Sequence, residues 1–415
     1  MTFEERAALV LAFAKVLYVN GQGTDQTTAA AERLAHALGF RAKIIPRWGE
    51  LQLLCDDNHV KLTCQIEANP VGVNMARVVS TGRAIAAIEG GLLAPDAAGK
   101  AIEVISRAPP APAWLFALAS GTGAIALSVI FGGEHPLAVL LIFISAATGA
   151  MLRRGIAQLS DNVFVQPFCA ALLAGIIGAL AVRYHVSSSL RLVAVCPCMV
   201  LVPGPHILNG ALDLMNARME LGVARLVYAT LVIMAIATGL LLGFALLGVS
   251  LPVDQAARAV PFWQDLIAAG VAVAAYSVFF STPLTFLPWP VAIGMLAHAL
   301  RWEALTGLGS NAATGAFAAC LLVGLIITPV ARRSHIPFAA IGFASVVSMM
   351  PGVYLFKVAS GILQIASGSP MPAELINATI ADGVAALTIT LGMSFGLIVP
   401  KLVIDRLCKA SSTPD

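Results

Sequence analysis

Charge is what this chain has least of. Asp, Glu, Lys and Arg together make 11% of its 415 residues, where an ordinary globular chain carries roughly a quarter. That scarcity excludes a soluble enzyme and a disordered chain, and the composition is not that of a collagen-like fibre. Base exceeds acid by only three, 25 Lys and Arg against 22 Asp and Glu, too little to draw a nucleic acid. Cysteine is sparse and odd in number: seven, at 55, 64, 169, 196, 198, 320 and 408. They form neither a zinc-type pair of pairs nor a secreted-scaffold spacing, and they read as reduced thiols. Cys196 and Cys198 stand in a CPC run, but no further Cys or His is spaced to complete a soft-metal site, so no metal is expected. HExxH, GxSxG, Walker and Asp-rich metal motifs are missing too, which leaves no catalytic residue, no cofactor and no enzyme to expect. What the chain has in abundance is apolar matter, with 59% hydrophobic residues and a mean hydropathy of +0.87.

The little charge there is lies unevenly. Residues 1–111 hold 11 of the 25 bases and 11 of the 22 acids, marking a polar head before an apolar body. The start, MTFEERAALVLAFAKVLYVNGQG, carries two acids, an apolar run broken by Lys15 and no small-residue cleavage site; it is not read as a signal peptide, and the head is expected in the cytoplasm. Residues 4–20 have helical spacing, Gly21 and Gly23 stop it, and Thr24 and Asp25 are candidate caps for an Ala-rich second helix. RAKIIPRW, ELQLLCDD and HVKLTCQIE then alternate at period two, a three-stranded meander, with Cys55 and Cys64 on facing strands. Helical period returns in NMARVVSTGRAIAAIEGG and DAAGKAIEVISRA, so the head reads as ααβββαα.

From Pro112 onward ten apolar stretches approach the roughly 20 residues that a hydrocarbon core requires. They lie near 113–132, 136–152, 164–183, 190–208, 225–249, 263–281, 285–300, 312–331, 336–356 and 376–400. With the head inside, nine Lys and Arg fall in inner segments, among them Arg153, Arg218, Arg225 and Lys401, against five outside, Arg183, Arg191, Arg258, Arg301 and Lys357; both termini are expected in the cytoplasm. The body also repeats itself. Trp114 matches Trp263 and Phe168 matches Phe317 at an offset of 149, while Arg153 matches Arg301 and Gly204 matches Gly352 at 148. Five helices per half is an odd number, so the second half enters from the opposite side, an inverted-topology pair. The expected fold is a mainly α-helical membrane protein with a small cytoplasmic α/β N-terminal domain, 1–111. Ten transmembrane helices follow in two five-helix inverted halves, 112–250 and 261–415. Trp114 and Trp263 would anchor opposite interfaces.

The most informative segment is AVCPCMVLVPGPHILNGALDLMNARMELGVARL, 194–226. Pro197, Pro203 and Pro205 lack the N–H a helix needs and would free the carbonyls of Val193, Met199 and Leu201, which in a bilayer must be paired or line a wet cavity. Pro351 and Gly352 repeat the break in the second half, and paired breaks point to a central site for an ammonium and an anionic group; a Pro-kinked helix repaired by its neighbours is the alternative. Asn209, Asp213, Asn216 and Glu220, spaced 4, 3 and 4, would share one face at the cytoplasmic mouth, either as a gate or as a solvated face whose acids pair with Arg218 and Arg225. The expected pathway is Pro203, Gly204, Pro205, Asn209, Asp213, Pro351 and Gly352. Asp382 is a second candidate proton carrier beside Asp213, because an intramembrane carboxylate marks function by default; a water-exposed place near the outer end of its span is the alternative. His206 and His298 titrate at similar depth, and either could instead be a hydrogen-bonded core histidine.

These residues resemble the threonine/serine exporter family. The likeness rests on NGQGTDQTTAAAERLAHALG and NMARVVSTGRAI in the head, on VPGPHILNGALDLMNARMELGVARL, and on the second Pro-Gly; Asn20 and Gln22 stand where relatives carry a small residue and then Gly-Ala. The resemblance implies a cytoplasmic domain before about ten transmembrane helices, and an exporter of threonine and serine at the bacterial cytoplasmic (inner) membrane driven by the proton motive force, by antiport. Its implied partners are the small substrate, protons and the lipid bilayer, with homo-oligomerisation left open. A similar two-polypeptide system implies small dicarboxylates such as succinate as the alternative cargo, and a passive channel is the other alternative.

Overall fold

The computed structural model describes residues 1–57, 60–133, 135–184, 190–249, 260–334, 338–366 and 373–410. The expected junction of the halves at 250–259 with Arg258, and the side chains of Arg191 and Cys408, lie outside the described residues.

The head begins with α1 (Phe3–Val19), whose start is a capping box: the Thr2 hydroxyl accepts from Glu5 N–H and the Glu5 carboxylate from Thr2 N–H. Its apolar residues are buried nearly all round, from Ala7 to Tyr18, because it lies against both the sheet and the other head helices. Next come α2 (Thr24–Ala37), β1 (Arg41–Arg47), β2 (Gly49–Asp56) and β3 (Lys61–Ala68), then α3 (Met75–Glu89) and α4 (Pro95–Arg107). The sheet is an antiparallel meander in the order β1-β2-β3, turned tightly at Trp48 with Gly49 at φ +87°. Arg47 faces Glu50, and Cys55 faces Leu62 while Leu53 faces Cys64, so the two thiols are diagonal neighbours on one face. Burial pushes the Cys55 thiol up to about 11. Only the thiolate reacts, so mass-spectrometric tracking of iodoacetamide on the Cys55 peptide at pH 7.5 should show labelling about two orders of magnitude slower in the folded chain than in urea. Equal rates would mean Cys55 is not held inside.

The body comprises α5 (Ala113–Ile130), α6 (Pro136–Leu159), α7 (Val165–Arg183), α8 (Leu190–Met199), α9 (Gly204–Met215), α10 (Met219–Ala245), α11 (Phe262–Phe279), α12 (Pro288–Thr306), α13 (Ala312–Ser334), α14 (Phe338–Val346), α15 (Gly352–Ala366) and α16 (Ala373–Ala410). Seven of the described helices are long and apolar enough to cross a membrane, and nine spans result if α8 with α9, and α14 with α15, each count as one. The stretch expected near 285–300 is α12, which is not among them. Glycines bring helices into backbone contact, as in membrane packing generally: a Cβ on Gly243 would press on α7 backbone and one on Gly392 on α13 backbone. The pairs α7/α10 and α13/α16 therefore pack alike, with Gly243 and Gly392 offset by 149. Trp114 and Trp263, at the first turns of α5 and α11, are both exposed. Because Phe116 stacks on Phe279 at 4.7 Å, the start of α5 lies by the end of α11; the two helices run antiparallel and their tryptophans sit at opposite ends.

The head is fastened to the second half through backbone. Met75 and Ala76, in the first turn of α3, donate to the carbonyls of Phe280 and Ser281 just past α11, at 2.9 and 3.0 Å. A helix leaves its first N–H groups without internal partners, and here the body supplies them.

Candidate functional site

Of the three prolines in the first break only Pro197 sits inside a helix. Pro203 is the N-cap of α9 and Pro205 lies in its first turn, where a missing N–H costs nothing, so the expected freeing of the Leu201 carbonyl does not arise. The axis bends by 54° between α8 and α9, and by 58° between the segment ending at Met349 and α15. Met199 carbonyl is not left for a ligand, since Tyr276 of α11 donates to it at 2.9 Å. The two breaks also meet. A Cβ on Gly352 would lie 3.0 Å from Met199 Cγ, and one on Gly204 would overlap the Phe343 ring of α14.

One and two turns into α9, Asn209 and Asp213 face the head. Asn209 Nδ2 donates to the Gly21 carbonyl at 3.2 Å, in a turn that Gly21 makes at φ +94°. Thr24, the first residue of α2, donates its hydroxyl to Asp213 Oδ2 at 3.0 Å; Arg218 Nη1 donates to Oδ1 at 3.3 Å, and Arg225 Nε lies 3.1 Å from Oδ2. The Asp213 side chain is 2% exposed and that of Arg225 0%. The amino end of α2 adds a favourable dipole for the carboxylate, and Tyr18 covers the Arg225 guanidinium at 5.3 Å, a cation–π placement. Burial pushes the Tyr18 hydroxyl up to about 12; it stays neutral and donates to Arg47 carbonyl at 3.0 Å. A second tier surrounds Asp25, which accepts from Arg218 Nη2 at 2.6 Å and Asn216 Nδ2 at 3.0 Å, with Lys401 Nζ of α16 at 3.8 Å. Asp25, Arg218 and Lys401 line a cavity of about 690 Å³ between α2, α9 and α16.

The shared face read from the sequence stops at Asn216. The chain turns at Ala217, φ +59°, and Glu220 belongs to the next helix and is exposed. Of the two acids, Asp213 does pair with Arg218 and Arg225, yet beneath the head and not in solvent. His206 is buried, packs edge-on to Tyr228 at 5.0 Å and lines a cavity of about 260 Å³ with Pro203 and Pro205. Asp382 of α16 has Lys357 Nζ of α15 at 4.0 Å. Lys357 is thus a helix residue and not a loop one, as is Arg301, which lies in α12.

One cluster escaped the sequence reading. Asp265 of α11 meets His298 Nδ1 of α12 through Oδ2 at 3.0 Å, and the other ring nitrogen meets the Ser348 hydroxyl beside the second break. His298 is a hydrogen-bonded histidine, fully buried. No short-range spacing announces this trio, since 33 and 50 residues separate the partners.

Two broken helices that meet in a helical apolar body, with a charged mouth beneath, are the parts of a multi-pass membrane transporter rather than an enzyme. The chain belongs to the threonine/serine exporter family, whose model matches residues 8–247, with a second model, "Threonine/Serine exporter, ThrE", matching 265–403. It is similar to the "Probable threonine/serine exporter" of Mycobacterium tuberculosis, 23% identical over 363 residues that cover 84% of this chain and 68% of that protein. It is also similar to the "Threonine/serine exporter" of Corynebacterium glutamicum, 26% identical over 304 residues, 68% of this chain and 60% of the relative. The chain therefore spans about two thirds of the length of these relatives. No solved structure matches it.

Proposed function

We propose that this chain exports small amino acids, threonine and serine, across the bacterial cytoplasmic membrane in exchange for protons. The observation that carries the reading is the meeting of the two breaks: Gly352 against Met199 and Gly204 against Phe343 join one half to the other where transporters hold their substrate. The halves 112–250 and 261–415 form the inverted pair of ten spans, and the head, 1–111, sits at the cytoplasmic mouth with both termini inside. The pathway runs past Pro203, Gly204, Pro205 and Asn209 to Pro351 and Gly352. Asp213, buried between two arginines and the Thr24 hydroxyl, makes the head part of the inner gate; protons travel by way of Asp213, His206 or Asp382.

The test uses inside-out vesicles energised with a proton gradient, in which export appears as uptake. Labelled L-threonine should accumulate, and an uncoupler should abolish accumulation. Uptake of labelled succinate alone would replace the cargo, and threonine flux indifferent to the uncoupler would make the protein a passive channel.

A further inference from the structure

Two cavities lie at opposite ends of the antiparallel pair α5 and α11. The first, about 260 Å³, is bounded by Phe116 early in α5 and Phe280 past the end of α11, next to head residues 71–73. The second, about 240 Å³, is bounded by Phe131 past the end of α5 and Asp265 early in α11. Between Phe116 and Phe131 lie fifteen helical steps, about 22 Å. Key lining residues correspond across the repeat. Adding 148 takes Arg153, Pro203 and His206 of the first cavity to Arg301, Pro351 and Tyr354 of the second, and adding 149 takes Phe116 to Asp265.

The correspondence also shows where the two differ. Both keep an arginine beside a broken helix, but only the second sets a carboxylate across from it. Among the described residues neither Arg153 nor Arg301 makes an ion pair within 4 Å, and Arg153 instead covers the Phe279 ring at 5.4 Å. Asp265 is 5% exposed; its Oδ2 is engaged by His298, and among the described residues its Oδ1 takes no hydrogen bond. A buried acid and a half-buried base that line one cavity without forming an ion pair are complementary to a ligand bearing both charges. A guanidinium matches a carboxylate through two parallel N–H donors, and a carboxylate oxygen accepts from an ammonium. The cavity is smaller than the roughly 300–1,000 Å³ of sites for drug-sized ligands, which limits the guest to a few heavy atoms beyond its charged groups.

Resting on the reading of the chain as an exporter of small amino acids, we propose that the second cavity is a binding site for the zwitterionic backbone of an α-amino acid. Arg301 holds the α-carboxylate and Asp265 Oδ1 the α-ammonium, while His298 and Ser348 fix the Asp265 carboxyl in place. The first cavity, with Phe116 in the Asp265 position, holds a carboxylate alone. The zwitterion is therefore bound more tightly at the end away from the head.

The test is binding to the purified full chain, with L-threonine, with 3-hydroxybutyrate, which lacks the ammonium, and with threoninol, which lacks the carboxylate. The parent should bind threonine and bind each analogue at least tenfold more weakly. Arg301→Gln should lose threonine at least tenfold. Asp265→Asn should lose it too and should reverse the preference between threonine and 3-hydroxybutyrate, a switch that mere loosening of the fold does not produce. Arg153→Gln should change threonine affinity less than Arg301→Gln. Where Arg301→Gln does not fold, Arg301→Lys keeps the charge without the paired donors and should still lose threonine at least tenfold. Threonine affinity within twofold of the parent in the Arg301 and Asp265 variants, in a parent that transports threonine, overturns this site and leaves the exporter reading standing. A parent that neither binds nor transports threonine overturns both.

Discussion

Asp213→Asn is expected to cut export at least tenfold, while Glu220→Gln stays within twofold of the parent. Both changes remove one negative charge and no volume, and both sites lie on the same stretch of sequence, but the surroundings differ. Glu220 stands in solvent, where losing a charge costs little. Asp213 neutralises Arg225, which is fully buried, and shares Arg218 with Asp25; removing one member of a buried pair leaves the other uncompensated at a cost of about 3–5 kcal/mol. The loss could act on the gate or on folding, and a second substitution separates them. Adding Arg225→Met to Asp213→Asn removes the stranded charge, so the melting temperature should return towards the parent value. Export should stay low if Asp213 belongs to the transport pathway. Export that recovers together with the melting temperature would make Asp213 a docking residue and nothing more.

Gly204→Ala should be the next most damaging single change. The added methyl would overlap the Phe343 ring, and that ring is itself buried, so either the ring or the α9 backbone must shift. Overpacking of this kind costs about 1–3 kcal/mol, and here the strain falls where the two broken helices meet. We expect export to drop severalfold, with partial recovery when Phe343→Leu is added. Gly99→Ala, whose Cβ would meet nothing within 4 Å, serves as the control and should export normally. If Gly204→Ala matches that control, the contact between the breaks is not needed for transport.

The positions of the breaks could be read in advance because proline removes a donor wherever it stands, and a local rule needs no tertiary knowledge. The order of the head elements was legible for a similar reason: side-chain periodicity switches from 3.6 to 2 and back within short windows. Asp213 stood out because Asn209 lies four residues before it. Its burial did not, since the covering Thr24 is 189 residues away. Glu220 was grouped with Asp213 because nothing marks Ala217, a residue with a side chain, as the left-handed turn that ends α9. Asp265 was overlooked and Arg301 was read only as an outer base matching Arg153, because each sits near the expected edge of a span, where a charge excites no suspicion. The structure extends α12 to Thr306 and draws Arg301 inward.

The hydrogen bonds that tie α3 to Phe280 and Ser281 also set a clock on the ribosome. Every element of the head has been synthesised by Arg107, yet two of its backbone donors have no acceptor until residue 281 has emerged. That is 281 − 107 = 174 residues later. At about 5–20 residues per second the interval is roughly 9–35 s, through the first part of which the Thr24 hydroxyl also waits for Asp213. The first domain to be made is thus finished only after more than half of the body has followed it, and a nascent chain stalled before α11 would display an unsatisfied docking face to whatever chaperone or protease is at hand.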